Sequence, residues 1–95
     1  MNTLSIQRLK NYLTEYSLHL EYWTEDDGEG NELLGCREII EKNKALLSKD
    51  DIDYLNAMDD KARSILDNYT GNETFDVIML RKAVEIAIES LKQAA

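Results

Sequence analysis

Thr74-Phe75-Asp76-Val77-Ile78-Met79 is the stretch on which the fold class turns, because read alone it passes for a β-strand. Two features decide otherwise. No second segment of the chain offers a strand for it to pair with, and the apolar pattern continues through Leu80, Ala83, Val84, Ala87, Ile88 and Leu91 at helical spacing. The spacing predicts a helix over about 74–93, with the widest apolar face in the chain, Arg81, Lys82, Glu85, Glu89, Lys92 and Gln93 on its outer side, and Asn72 or Thr74 as the cap.

Working back from there, Gly71 is placed to end the preceding helix with a left-handed backbone. That helix, over about 49–69, carries the stripe Ile52, Leu55, Met58, Ala62, Ile65, Leu66 and Tyr69. Its start is marked by Ser48-Lys49-Asp50-Asp51, in which Ser48 can accept a bond from the Asp51 amide. Asp59 with Arg63, and Arg63 with Asp67, are spaced for pairing on its surface. A helix over about 32–47 has a thinner seam (Leu33, Leu34, Cys36, Ile39, Ile40, Leu46, Leu47), with Asn43 where an apolar residue is expected, which predicts an edge position. The first helix, over about 4–24, aligns Ile6, Leu9, Leu13, Tyr16, Leu20 and Trp23 at alternating spacings of three and four, with Thr3 or Ser5 as its cap. Its aromatics suit either packing within the chain or pairing with a second copy.

With no proline, four glycines and 95 residues, the chain is expected to be one all-α domain spanning 1–95, a small four-helix antiparallel bundle with an acidic loop at 25–31. Cys36 is the only cysteine and His19 the only histidine, which excludes an internal disulfide and a Cys/His zinc finger. The longest apolar run is Val77 to Leu80, and no signal-peptide pattern opens the chain. A cytoplasmic protein that does not engage a membrane is the expectation.

Nineteen acidic against eleven basic residues give a net charge of −8, of which residues 25–53 carry −6. Such a field repels phosphate and argues against direct nucleic-acid binding, and it attracts a basic protein partner. The acids cluster at Glu25-Asp26-Asp27-Gly28-Glu29-Gly30-Asn31-Glu32. A calcium loop counted from Glu25 would put Cys36 at its twelfth position, where a bidentate acid is required. Glu15 and His19 lie one turn apart, yet a bundle di-metal site needs a second histidine motif. No phosphate loop, nucleophile elbow or dinucleotide fingerprint is present, so no cofactor is expected.

In size, charge and lack of catalytic residues the chain resembles bacterial immunity proteins, antitoxins and phage-encoded inhibitors. That compositional resemblance implies a protein–protein interaction module covering a basic surface of its partner, with Tyr22 and Trp23 as apolar anchors beside Glu25, Asp26, Asp27, Glu29 and Glu32. A different reading starts from Glu38-x-x-Glu41 and Glu73-x-x-Asp76, which are similar to the paired acids of all-α nucleoside triphosphate pyrophosphatases. That resemblance implies magnesium held by Glu38, Glu41, Glu73 and Asp76, although the same spacing also occurs at 26/29, 29/32 and 50/53. A homodimeric structural protein is the third expectation.

Overall fold

The computed structural model describes residues 5–24, 28–71 and 73–94. Four α-helices follow one another, α1 Ile6–Glu21, α2 Gly30–Lys42, α3 Lys49–Asp67 and α4 Phe75–Ala94, with a single 3₁₀ turn at Lys44–Leu46 between α2 and α3. Among the described residues there is no strand, and no helix is long and apolar enough to cross a membrane. The fold is an all-α four-helix bundle. Helix ends lie within a few residues of those expected, and the largest difference is in α2, which starts two residues earlier and gives way to the 3₁₀ turn.

Local chemistry explains the ends. Ser5 accepts a bond from the Arg8 amide at the start of α1, and Ser48 accepts one from the Asp51 amide at 3.2 Å at the start of α3. Each satisfies an amide with no partner inside the helix. Thr3 and Asn72, the alternative caps, lie outside the described residues. Gly71 has φ 82°, the left-handed backbone expected after α3.

The helices meet as the pairs α1–α2, α2–α4, α4–α3 and α3–α1, so α2 and α3 face each other across a diagonal. Neighbours α2 and α4 run in the same direction: Gly30 meets Asp76 at their beginnings, and Lys44 donates to Ser90 toward their ends. Far from sitting at an edge, α2 packs against both α1 and α4 and buries Leu33, Leu34, Cys36 and Ile40. The reason is Arg37, which is fully buried among them and extends a face that looks thin when only apolar residues are counted. The core joins these to Leu9, Leu13, Tyr16 and Leu20 of α1, Leu55 and Ala62 of α3, and Leu80, Ala83 and Val84 of α4. The α4 face is narrower than its sequence suggests, since Phe75, Ile88 and Leu91 are exposed. Leu9, Leu13, Tyr16 and Leu20 of the α1 seam are buried inside the chain while Ile6 is exposed, and Tyr16 is therefore not an exposed residue on which a second copy could pair.

A buried polar network crosses this core. Arg37 donates to both carboxylate oxygens of Asp59 at 3.0 Å, Tyr16 donates its hydroxyl to the same carboxylate at 2.7 Å, and Arg37 also reaches Glu41 at 3.1 Å. Asp59 is thus an inward residue of α3, and the expected surface pair with Arg63 does not form; Arg63 stands 3.8 Å from Asp60 instead. Burial acts to lower the Arg37 value, but the hydrogen bonds to Asp59 and its charge, with smaller contributions from Tyr16 and Glu41, hold it above the usual range.

Removing one member of a buried pair strands the other. Arg37→Met is expected to cost about 3–5 kcal/mol in urea unfolding, whereas Arg37→Met combined with Asp59→Leu recovers most of that loss. Equal destabilisation by the single and the double substitution would contradict this account.

Candidate functional site

Between α1 and α2 lies a groove of about 510 Å³. Tyr12, Glu15, Leu18, His19 and Tyr22 line it from the α1 side, and Glu29, Glu32, Gly35, Cys36 and Ile39 from the α2 side. Helical spacing produces this arrangement. Residues 12, 15, 19 and 22 recur every three or four positions, so they share the flank of α1 next to its buried stripe. Residues 32, 36 and 39 of α2, with Glu29 just before its first turn, do the same. Gly35 contributes no side chain, and a Cβ there would meet nothing within 4 Å.

Two small clusters sit in the groove. At the mouth, His19 places Nδ1 3.1 Å from Glu29 Oε1 and Nε2 3.9 Å from Glu32 Oε2. Among the described residues these three form a group whose donor atoms lie within 4.8 Å of one another. Deeper in, the Cys36 thiol donates to Glu15 Oε2 at 3.7 Å. Burial, followed by the charge and hydrogen bond of Glu15 and the charge of Glu32, pushes the Cys36 thiol up to about 12. It is a protonated, unreactive group at neutral pH.

The backbone that carries Glu29 is held by α4. Asp76, 3% exposed at the start of that helix, accepts the amides of Gly28 and Gly30, each at 3.0 Å. Gly30 leaves no room for a side chain, since a Cβ would stand 2.8 Å from the Asp76 Cα. Glycine is required here by close approach of two backbones.

Of the residues expected to meet a partner, Tyr22, Glu29 and Glu32 come together at the groove, and Tyr22 is 70% exposed. Trp23 turns the other way, half-buried against Tyr69 in an edge-to-face contact with centroids 6.2 Å apart, and its buried indole N–H has no hydrogen-bond partner among the described residues. Glu25, Asp26 and Asp27 lie outside the described residues. The four acids of the magnesium reading are not gathered: Glu41 pairs with Arg37, Glu73 with Arg81 at 2.9 Å, Asp76 holds the two glycine amides, and Glu38 is exposed on α2. Leu18, Glu15, His19 and Ile39 were not singled out as partner-contacting residues by the sequence, although the spacing of Glu15 and His19 on one face was visible in it. Comparison with family models, with curated proteins and with solved structures returned no match.

A raised thiol value has a consequence for alkaline stability. The folded chain keeps the Cys36 proton to higher pH than the unfolded chain does, so this contribution is complete below the unfolded thiol range and is lost as pH rises toward about 12. Tyr16, raised by burial and then by the charge and hydrogen bond of Asp59, acts in the same direction at still higher pH. Urea midpoints measured from about pH 8 upward should therefore fall for the wild type and fall less steeply for Cys36→Ala. In the folded protein at pH 8, alkylation of Cys36 should be at least about a hundredfold slower than in the denatured chain.

Proposed function

We propose that this chain is a protein–protein interaction module whose α1–α2 groove receives a basic, amphipathic segment of another protein. One observation carries the reading: the groove joins exposed apolar surface, at Leu18 and Tyr22, to the carboxylates of Glu15, Glu29 and Glu32, and among the described residues no lysine or arginine lines it. Apolar side chains of the docking segment would enter between Leu18, Tyr22 and Ile39, while its lysines and arginines meet the acidic rim. The net charge of −8 favours encounter with such a partner before contact is made.

A small rigid body of this kind can occupy a basic functional surface and exclude the natural ligand from it. That is the inhibitor or immunity-like role which the composition suggests. The reading places the encounter in the cytoplasm, a reducing compartment in which the single Cys36 meets no disulfide partner.

A photo-crosslinking amino acid in place of Leu18, and a second in place of Tyr54 on α3, would report which face meets a partner in the native cell. Capture is expected from position 18. With the captured protein purified, Leu18→Ser combined with Tyr22→Ser should weaken binding at least about tenfold, and raising salt from about 50 to about 300 mM should weaken the wild-type complex by a similar factor. Cross-links confined to position 54, or an affinity indifferent to both the substitutions and the salt, would overturn the proposal.

A further inference from the structure

The cluster at the groove mouth has a chemistry of its own, independent of any protein partner. His19 stands in the last turn of α1, where the free carbonyls at the helix end favour a cation nearby. Glu29 precedes α2 without capping it through its side chain, and its carboxylate faces the imidazole of His19 instead. Glu32 lies one turn further along α2. Each ring nitrogen of His19 therefore looks toward a carboxylate oxygen. A neutral imidazole has one N–H and can donate to only one of them; its other nitrogen offers a lone pair toward a group that also has only lone pairs. A single ion bound at one ring nitrogen would answer the facing lone pairs there, while the other nitrogen keeps its N–H for the second carboxylate or for water.

From these observations we infer that His19, Glu29 and Glu32 form a site for one divalent transition-metal ion of the zinc class. The donor set selects that class, since imidazole with carboxylates suits zinc and its neighbours, whereas calcium and magnesium require shells made of oxygen. The dimensions agree. Ligand atoms around a tetrahedral zinc stand about 3.4 Å apart, given metal–ligand distances of about 2.0–2.2 Å, and His19 Nδ1 to Glu29 Oε1 is already 3.1 Å. All three donor atoms fall within 4.8 Å, and rotation of the exposed Glu32 side chain closes the remaining gap. The scaffold is held in advance. Leu20 and Leu33 are buried on either side of the turn, and Asp76 fixes the amides on both sides of Glu29. Three protein ligands leave one position of a tetrahedral ion open, for water or for a donor group arriving in the groove.

Calorimetric titration of the EDTA-treated and dialysed protein with zinc chloride tests the site, with thermal unfolding as a second readout. One ion per chain is expected, with a melting temperature several degrees higher in excess zinc. Affinity should fall at least tenfold in His19→Gln and in Glu32→Gln, stay unchanged in Cys36→Ala, and resist a large excess of magnesium. Circular dichroism reports whether each variant folds, and Glu32→Gln, at an exposed position, decides the matter if His19→Gln does not. Absence of binding at millimolar zinc, or binding equally strong in the folded variants, would overturn the assignment in favour of diffuse attraction to an acidic surface.

Discussion

The Arg37–Asp59 pair is the constraint on which the rest of this bundle depends. A guanidinium with no exposed surface is tolerable only if its charge and its N–H groups are answered, and Asp59 answers them with both oxygens at 3.0 Å while Tyr16 donates to the same carboxylate. The three residues stand on α2, α3 and α1, so satisfying one charge fixes the register of three helices. The pair also spans the diagonal between α2 and α3, which have little direct backbone contact. Apolar packing alone would allow helices in a small bundle to slide or rotate at modest cost. A bidentate arginine allows much less, because a shift along the axis breaks two directional bonds in a medium that offers no replacement. The network's stabilisation is consequently tied to specificity of arrangement more than to net free energy, which desolvation of both charges keeps small.

Asp76 plays the corresponding part for α2 and α4. Its carboxylate receives the amides of Gly28 and Gly30, which no preceding helical turn could satisfy. The acid at the start of α4 thus serves the start of α2, and negative charge near two helix N-termini is electrostatically favoured at both. The close approach that makes this possible depends on Gly30 having no side chain. Glu29, between the two clamped amides, is therefore presented from a fixed backbone even though its side chain is exposed. The groove's rim is built on the same polar contact that joins the two parallel helices.

How much of this could be read from the chain divides along the line between apolar and charged residues. The four helices, the Ser48 cap and the Gly71 stop were legible because each rests on local spacing or local hydrogen bonding. The central place of α2 was not, and neither was the inward position of Asp59. Yet the signal existed. Arg37 falls in phase with Leu33 and Ile40, Asp59 with Leu55 and Ala62, and Asp76 with Leu80, Ala83 and Ala87, so each occupies a core position by spacing. Periodicity judged on apolar residues alone discards such positions, and with them the thickness of the α2 face. The pairing itself remained invisible, since Arg37 and Asp59 are 22 residues apart and helix order does not reveal which helices meet across a diagonal. Glu15 and His19 were seen on one face, but the groove needed the carboxylates that the turn into α2 brings opposite them.

Separating the charges that hold the bundle from those that do not leaves a coherent remainder. Arg37, Asp59 and Asp76 are buried, and Glu41 and Glu73 are each matched by an arginine. Glu15, Glu29 and Glu32 line the groove together, Glu29 facing His19 and Glu15 accepting from Cys36, and they stand on helix flanks whose inner faces are packed. Carboxylates gathered on one side of a rigid hairpin repel one another and cost stability. The imidazole of His19, 3.1 Å from Glu29, meets one of these carboxylates, and a basic segment lying in the groove would offset the remaining charge. On the proposed reading, a basic segment would meet these carboxylates on a backbone that the neighbouring contacts already hold in place, so the site would not first have to be ordered.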